Sequence, residues 1–477
     1  MDFSVETAMD LLDLKWVQSL SSELRDDVRV IQAQVLVQPA ECPFCKAADP
    51  YRHDSREQEF ADAPIRGVPV RIQFQRRRYR CRACRKTFFE PLPGFSTKRN
   101  MTQRLVYYIA RDSLIRTFTD VAKDVSVDVQ TVRDVFLDFS DWLRQHHPIA
   151  TPRIMGIDEA KRAKVLCTVL TDLERREYFD LLPSRRTKPL NDYLSKLPGK
   201  DRVEVVAMDL HQGFVTAIAR HMPQAVRVAD RYHVARLAQE AFDKAHVHAR
   251  KDLPTGERLS MFRKRGVLAK RDRRLTDAER NEVNKALAPF PILLAAHEAK
   301  ESFLAIYDAR NRQQAEAALL AWMEALPVEL SGYFRALTSV VSNNRDIILN
   351  YFTHRYTNAF TEASNGISKL LQKTGRGYGF EVMRVKLLYG KRGQVVDLSD
   401  YDSDAGPSGD GFGFVFGKML TVRATPSRKV GASGDGKRRG PRFDRVDRLI
   451  DEGYYDMGNK AIADEMDSLI RQFAVGY

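Results

Sequence analysis

The stretch VEVVAMDLHQG, residues 203–213, decides how this chain folds. It is a valine-rich apolar run that leads straight into an aspartate, Asp209. Such a run is typical of a strand that is buried on both faces, as strands are inside a parallel sheet. A carboxylate that stayed buried at its end would cost several kcal/mol. Asp209 is therefore expected at a sheet edge, in an ion pair, or on a metal ion.

The segments around this run alternate between strands and helices. Three predicted strands precede it: RIMGIDEA (153–160), AKVLCTVLTDL (163–173) and REYFDLLPS (176–184). A helix (187–197) leads into the run, and a second helix (213–222) and a further strand (225–234) follow it. Three strands in a meander, then alternating helices and strands, are the order of an α/β RNase H-like fold.

Two of these strands end in aspartate, at Asp158 in IMGID and at Asp209 in VVAMD. If the two strands are neighbours, their carboxylates meet at one edge of the sheet. Two like charges there repel each other and favour divalent cations between them. Either aspartate taken alone is also typical of a turn at a strand end.

A two-metal site needs another carboxylate, and the helix YTNAFTEASNGISKLLQK (356–373) offers Glu362. At 100° per residue, its apolar and polar residues fall on opposite faces. The apolar face holds Phe360, Ala363, Ile367, Leu370 and Leu371, and the polar face holds Asn358, Glu362, Asn365, Lys369 and Lys373. With the apolar face on the sheet, Glu362 reaches the metal edge and the asparagines and lysines face phosphate. A solvated polar face is the alternative, although asparagine is a poor helix former.

Four of the five cysteines form two close pairs. Cys42 and Cys45 are separated by 35 residues from Cys81 and Cys84, and each C-x2-C pair can hold one side of a tetrahedral zinc ion. We therefore predict structural Zn²⁺ in a reducing cytosol rather than a disulfide framework. Four unpaired buried thiols are the alternative. Cys167 lies alone in an apolar run and is expected in the core.

The chain is basic, with 77 Lys and Arg against 63 Asp and Glu, a net charge of +14 and a pI near 9.5. This excess favours a polyanionic partner such as nucleic acid, although a basic enzyme without one has the same composition. Between Arg71 and Lys86 there are eight basic residues and no acidic residue. Phosphate contact by Arg76, Arg77 and Arg78 accounts for this run, and a solvated strand face is the alternative.

Residues 101–142 are predicted to form three helices, and TFTDVAKDVSVDVQTVRDVF (117–136) has the apolar spacing of a helix-turn-helix. Ala122 is small where the helices touch, while Ser126 takes the turn position where glycine is commoner. In a DNA reader the second helix enters the major groove, with Gln130, Thr131 and Arg133 near its exposed start. A helical hairpin without a special function is the alternative.

The two ends of the chain carry weaker signals. An amphipathic helix and then a strand are predicted within 1–40, Gly/Ser/Pro-rich linkers within 394–441, and a short helix at 459–473. No apolar stretch approaches the roughly 20 residues that span a bilayer. Acidic residues occupy the N-terminus where a signal peptide needs bases. The expected location is cytoplasmic, with no membrane partner.

Together these blocks resemble the DDE transposases of the ISL3 insertion-sequence family. RRRYRCRACRKTFFEPLPG resembles that family's N-terminal zinc finger, and GIDE, AMDL, ADRYHV and YTNAFTEASNGISKLLQKTGRGYGF resemble its catalytic blocks in the same order. The likeness covers roughly residues 40–395. The chain departs from the family at Ala363, which follows the glutamate where glycine is more usual.

The resemblance implies that Asp158, Asp209 and Glu362 form the catalytic triad, with Mg²⁺ or Mn²⁺ as cofactor. It places Asp230 and His233 of ADRYHV beside the triad, as auxiliary groups or as structural residues. The 153 positions from Asp209 to Glu362 imply an all-helical insertion in the core. The predicted parts are an N-terminal helix and strand (1–40), a zinc finger (41–95), a helix-turn-helix (96–145), an RNase H-like core (150–233 and 351–393) around the insertion (234–350), and Gly-rich linkers with a C-terminal helix (394–477).

The implied function is that of a transposase that binds terminal inverted repeats and then cuts and joins DNA. Two Mg²⁺ about 4 Å apart would activate a water and stabilise the leaving 3′-oxygen, and the freed 3′-OH would attack target DNA. Two element ends must be held together, so a homodimer or larger assembly on DNA is expected. The alternatives are a DNA-binding regulator without catalysis and an RNase H-like nuclease or resolvase.

Overall fold

The computed structural model describes residues 12, 14, 16–162, 165–251, 253–375, 378–398 and 401. The described residues divide into two compact units: those up to Ile149 with those from Val385 onward, and those from Ala150 to Arg384. The predicted helices near the N-terminus and at 459–473, and most of the predicted linkers, lie outside the described residues.

The first unit is built on a five-stranded sheet. Its strands are β1 (Val17–Arg25), β2 (Val28–Val35), β3 (Tyr51–Ile65), β4 (Val68–Arg80) and β5 (Thr87–Phe89). Their order is β1-β2-β4-β3, with β5 also on β4. The β2 and β4 pair is parallel and the other pairs are antiparallel. The apolar core includes Phe60, Phe74 and Phe95, whose ring centroids lie 5.1–5.9 Å apart.

Three helices follow this sheet, as the apolar spacing of 101–142 predicts: α1 (Gln103–Ile115), α2 (Phe118–Val125) and α3 (Val129–His146). Each begins at a capping side chain, Thr102, Thr117 or Asp128, which accepts a hydrogen bond from a backbone N–H of the first turn. Ser126 ends α2 in the left-handed conformation (φ 50°, ψ 47°). Serine therefore makes here the turn in which glycine is commoner.

The described residues from Val385 onward pack on these helices and belong to the same unit. The ring of Tyr401 lies 5.0 Å from that of Phe139 and 5.1 Å from that of Trp142, both on α3. The carbonyl of Val396 accepts a hydrogen bond from the guanidinium of Arg111 on α1, over 2.7 Å. The first described residues of the predicted linker region are therefore part of the helical core.

The second unit contains the sheet predicted from the valine-rich run. Its strands are β6 (Ile154–Arg162), β7 (Val165–Asp172), β8 (Glu177–Leu182), β9 (Val205–Met208) and β10 (Val226–Ala229). Their order is β10-β9-β6-β7-β8; β6, β7 and β8 form an antiparallel meander, and β9 is parallel to both neighbours. All four residues of β9 are buried, which explains why this strand is apolar throughout.

Helices surround this sheet and fill the predicted insertion. They are α4 (Thr187–Lys196), α5 (Gln212–His221), α6 (Arg231–Ala249), α7 (Thr255–Arg263), α8 (Arg265–Leu268), α9 (Asp277–Leu287), α10 (Pro291–Ala305), α11 (Arg312–Ala325), α12 (Ser331–Leu349), α13 (Tyr351–His354), α14 (Ala359–Thr374) and α15 (Phe380–Tyr389), of which the residues from Val385 onward belong to the first unit. The core of the insertion includes the buried rings of Phe242, Phe303 and Phe334. Among the described residues, no helix combines the length and apolar character needed to cross a membrane.

Candidate active site

Three aspartates lie at the same level on three adjacent parallel strands. In the sheet register Ile157 of β6 is opposite Met208 of β9, and Met208 is opposite Ala229 of β10. The next residue along each strand is an aspartate, namely Asp158, Asp209 and Asp230. Neighbouring strands are about 4.8 Å apart, so the pairing alone brings these carboxylates to one edge.

Asp158 is almost fully buried and is held at both carboxylate oxygens. Its Oδ1 accepts a hydrogen bond from the backbone N–H of Glu159 (2.7 Å), and its Oδ2 accepts one from the side-chain amide of Asn365 (2.8 Å). Burial raises the pKa of Asp158 to about 6, and the negative charges of Asp230 and Asp209 act in the same direction. The sequence predicted that Asn365 contacts DNA; in the structure it contacts Asp158.

Helix α14 brings Glu362 to the same edge. The residue before this helix, Asn358, is buried; its side-chain amide donates to the carbonyl of Ile157 (2.7 Å) and its backbone N–H donates to Oδ1 of Asp230 (3.3 Å). The position of α14 is thereby tied to the ends of β6 and β10. Burial, with the charges of Asp230 and Asp158 acting in the same direction, raises the pKa of Glu362 to about 8.

The packing of α14 differs from the predicted apolar face, because small polar residues take part in it. Thr361 is buried and its Oγ1 lies 2.7 Å from Oγ1 of Thr171 on β7. The hydroxyl of Tyr178 on β8 donates to the carbonyl of Ser364 over 2.5 Å. Ala363 is buried as predicted. The side chains of residues 367–374, including Lys369 and Lys373, lie outside the described part of the structure.

His233, in the first turn of α6, lies between two of the aspartates. Its Nδ1 is 3.0 Å from Oδ2 of Asp230 and its Nε2 is 3.7 Å from Oδ2 of Asp209. Burial alone lowers the pKa of this imidazole, but the hydrogen bond to Asp230 and the charges of Asp209, Asp230 and Asp158 raise it to about 9. An imidazolium therefore provides a positive charge among the carboxylates in the protein without metal.

The donor atoms of this edge suit a hard divalent cation. One ligand atom each from Asp230, His233 and Glu362 lie within 4.8 Å of one another, and Asp158 and Asp209 lie close enough to shift the pKa of these groups. Carboxylate oxygens are the ligands that Mg²⁺ and Mn²⁺ prefer. The predicted triad is thus part of a larger cluster of four carboxylates and one histidine.

The four paired cysteines meet in the first unit. The Sγ atoms of Cys42 and Cys84 are 3.7 Å apart and those of Cys45 and Cys81 are 3.5 Å apart, and all four lie within 4.8 Å of one another. A tetrahedral zinc ion with Zn–S bonds of about 2.3 Å separates its sulfurs by about 3.8 Å. The backbone N–H of Cys84 donates to Sγ of Cys81 and lowers the pKa of that thiol to about 6. This geometry supports a structural Zn²⁺, and Cys167 is buried in the other unit as predicted.

A third group of possible metal ligands, Asp272, His297 and Glu301, lies in the helical insertion. It is already neutralised by cations: Nζ of the buried Lys300 is 2.9 Å from Glu301, and Nε of Arg271 is 3.4 Å from it. Burial lowers the pKa of His297 to about 4, and the charge of Lys300 acts in the same direction. This group is therefore an internal ion-pair network.

The arginines predicted to bind phosphate have partners within the sheet of the first unit. Arg77 pairs with the buried Glu90 over 2.6 Å and donates to the carbonyl of Val35, also over 2.6 Å. Arg76 donates to the carbonyl of Glu90, and Arg78 donates to Oγ1 of Thr87. Arg77 in particular has a structural role that the basic run alone does not reveal.

The predicted DNA-reading residues of α3 lie at its start. Gln130 and Arg133 are exposed, and Thr131 is half-buried beside a cleft of about 880 Å³. The amide of Gln130 donates to Asp134 one turn later, over 2.7 Å. The start of α3 is therefore accessible, which a reading helix requires.

Two comparisons with known proteins found matches to this chain. A family described as "Transposase" matches residues 155–387, and a family described as "zinc-finger of transposase IS204/IS1001/IS1096/IS1165" matches residues 38–84. A protein of Bordetella parapertussis, the "Transposase for insertion sequence element IS1001", is 23% identical over 363 residues, which are 71% of this chain and 85% of that protein. The first match contains all five residues of the candidate site, and the second contains all four paired cysteines.

Proposed function

Because this chain is an insertion-sequence transposase of the ISL3 family with an N-terminal zinc ribbon, we propose that Asp158, Asp209 and Glu362 are its catalytic carboxylates. One observation carries this proposal. The aspartates that follow in register on β6, β9 and β10 lie at one edge of the sheet, and α14 brings Glu362 to the same edge. The two raised carboxyl pKa values support it, since strongly shifted acids cluster at catalytic sites.

The fold class favours the same assignment. The strand order β8-β7-β6-β9-β10, with an antiparallel meander followed by two parallel strands, is the order that the RNase H-like interpretation requires. In it Asp158 lies on the central strand and Asp209 follows its parallel neighbour. The helices from α6 to α12 then form an insertion between Asp209 and Glu362, and α14 returns the glutamate to the sheet.

We propose that the carboxylates bind two divalent cations, Mg²⁺ or Mn²⁺. Such cations would supply activation of a water for cleavage and stabilisation of the leaving 3′-oxygen, and the freed 3′-OH would be the nucleophile for strand transfer at the same carboxylates. Asp158 is held for this task at both oxygens, by Glu159 and Asn365. Asp230 and His233 act beside the triad: Asp230 anchors the start of α14, and His233 offsets negative charge.

The DNA partners of this proposal are the terminal inverted repeats of the element and the target DNA. The zinc ribbon and the helix-turn-helix α2–α3 read the repeats, with the accessible start of α3 and its residues Gln130, Thr131 and Arg133 in the major groove. Two ends must be cut in a coordinated way, so the protein acts as a homodimer or larger assembly on DNA. We propose a cytoplasmic location, where bacterial DNA is accessible.

The test is a cleavage and joining assay. Purified protein and Mg²⁺ are incubated with a duplex that carries the element end and its flank, and nicked ends and joined products are separated on a denaturing gel. Asp209→Asn is expected to keep DNA affinity within about twofold and to abolish cleavage, since the carboxylate acts on cations rather than on the duplex. Binding without cleavage by the wild type identifies a regulator, and cleavage without joining identifies a nuclease; either result overturns the proposal.

A further inference from the structure

Six residues at helical spacing form a stripe along α6 that starts in the candidate active site. Spaced by three or four positions, they are His233, Arg236, Glu240, Lys244, Val247 and, just past the helix end, Lys251. At 100° per residue they fall within a sector of about 80°. From Arg236 to Lys251 every member is exposed, and the single acid, Glu240, is paired with Arg236 over 3.3 Å. The stripe is therefore a solvent-facing basic surface that begins at the metal edge.

Helix α7 follows the end of this stripe and is almost entirely exposed. Met261 is the one buried residue of its nine, and Leu259 and Phe262 are 50% and 48% exposed. The guanidinium of Arg250, at the end of α6, lies 5.1 Å from the ring centroid of Phe262 and ties the two helices together. Three exposed arginines without a carboxylate partner among the described residues complete this surface: Arg258 and Arg263 of α7, and Arg265, the first residue of α8.

We propose that duplex DNA leaving the active site runs along the stripe of α6 and is held at its far end by α7. This inference rests on the proposed function and adds to it a DNA-binding surface outside the carboxylate cluster. From His233 to Arg250 there are 17 residues, which span about 26 Å at 1.5 Å per residue. At about 3.4 Å per base pair, the arginines of α7 and the adjacent Arg265 contact the DNA backbone roughly 8 base pairs from the scissile phosphate.

Charge favours DNA over a protein as the occupant of this surface. Among the described residues from α6 to the start of α8, two exposed acids, Glu240 and Glu257, accompany six exposed lysines and arginines, and Glu240 is already paired with Arg236. The six are Arg236, Lys244, Lys251, Arg258, Arg263 and Arg265. Unpaired arginines on a short exposed helix form a surface that phosphates complement well, since each contact releases counterions. Leu259 and Phe262 supply apolar contacts of the kind that proteins make with deoxyribose and base edges.

The experiment compares the full-length wild type with Arg258→Ala/Arg263→Ala/Arg265→Ala. Affinity is measured by fluorescence anisotropy on duplexes that are shortened stepwise on either side of the cleavage site. The wild type is expected to lose affinity once one side is shorter than about 8 base pairs. The triple variant should bind long duplexes about 10- to 100-fold more weakly, show no such step, and have a salt dependence reduced by nearly 3 in log–log slope.

The matched control is Lys285→Ala/Arg335→Ala/Arg345→Ala, which removes the same charge from α9 and α12. It is expected to keep the step at about 8 base pairs. A triple arginine variant that retains the step and the salt slope overturns the inference. The inference is also overturned if the triple variant binds DNA as the wild type does and differs only in self-association, measured by sedimentation. That result would mean that this surface contacts a second copy of the chain. Cleavage of a long duplex at saturating protein tests the proposed function separately. If the wild type cleaves but the binding results contradict the inference, only the proposed DNA contact along α6 is refuted and the proposed function stands.

Discussion

Asn365 of α14 donates a hydrogen bond from its side-chain amide to Oδ2 of Asp158 on β6, over 2.8 Å and across 207 positions of chain. The other carboxylate oxygen, Oδ1, accepts from the backbone N–H of Glu159. Both oxygens are thus oriented before any cation binds. Groups that orient a metal ligand in this way tune its affinity for the metal.

Replacing this amide tests the positioning role. Asn365→Ala is expected to lower the rate of Mg²⁺-dependent cleavage by about 10- to 100-fold and to raise the Mg²⁺ concentration that gives half-maximal cleavage. DNA affinity should stay within about twofold, because the amide contacts Asp158 rather than phosphate. The measurement is a Mg²⁺ titration of single-turnover cleavage together with anisotropy binding. Asn343→Ala, on the exposed face of α12, is the control and should behave as wild type. A loss of affinity with unchanged Mg²⁺ dependence would instead support direct phosphate contact by Asn365.

The sheet of the second unit could be predicted because its strands carry a strong burial signal. All four residues of β9 are buried, and the position of Asp209 directly after it follows from the run itself. Once β6 and β9 are neighbours, their register brings Asp158 and Asp209 together without further information. Strand β1 was not predicted, because it is an edge strand whose residues are mostly exposed and therefore lack an apolar alternation.

The finer contacts of the site could not be predicted, because a helical wheel gives the side of the helix on which a residue lies but not how deeply that residue is buried. It placed Asn358 on a polar face towards phosphate, whereas the structure buries this residue against Ile157 and Asp230. A run of arginines likewise does not reveal which carboxylates its side chains pair with. Nothing in RRRYR indicates that Glu90, thirteen residues after Arg77, takes its guanidinium.

The pair of Arg77 and Glu90 predicts an effect on stability rather than on DNA contact. Glu90 is 1% exposed, so Arg77→Ala leaves a buried carboxylate without its partner, at about 3–5 kcal/mol. The expected result is a lower denaturation midpoint of the first unit in urea with zinc present, followed by circular dichroism. Arg56→Ala, on the exposed part of β3, should change stability by less than about 0.5 kcal/mol. If Arg77→Ala left stability intact and weakened DNA binding alone, the phosphate-contact interpretation would be correct.

The four clustered sulfurs predict one zinc ion per chain. Cys45→Ser removes a thiolate ligand and should reduce bound zinc to well below one equivalent, with loss of the ordered first unit and of element-end binding. Cys167→Ser is the matched control, since this cysteine is buried in the second unit, away from the cluster. It should keep a full equivalent of zinc even if the protein is somewhat less stable. Elemental analysis of both purified proteins decides the point, and equal zinc contents in both would refute the assignment.

A buried lysine makes the stability of the first unit depend on pH. Lys386 is 4% exposed, and its Nζ donates to the carbonyls of Ser113 and Arg116. Burial lowers its pKa to about 7 from the 10.5 of a free lysine. Between these values the unfolded chain binds the proton and the folded protein does not, so the free energy of unfolding rises with pH, by up to about 1.4 kcal/mol per unit. Below about pH 7 both states are protonated and the contribution is constant.

The lysine is isolated by comparing wild type with Lys386→Met in urea unfolding between pH 6 and pH 10, followed by tryptophan fluorescence. The difference in unfolding free energy between the two proteins should be flat below about pH 7 and should grow in favour of the wild type above it. Lys123→Met, which removes an exposed lysine of α2, should follow the wild type at every pH. A constant difference between wild type and Lys386→Met would mean that the ammonium stays charged in the core. In that case the two carbonyls and the ring of Phe118, 4.8 Å from Nζ, stabilise the charge fully.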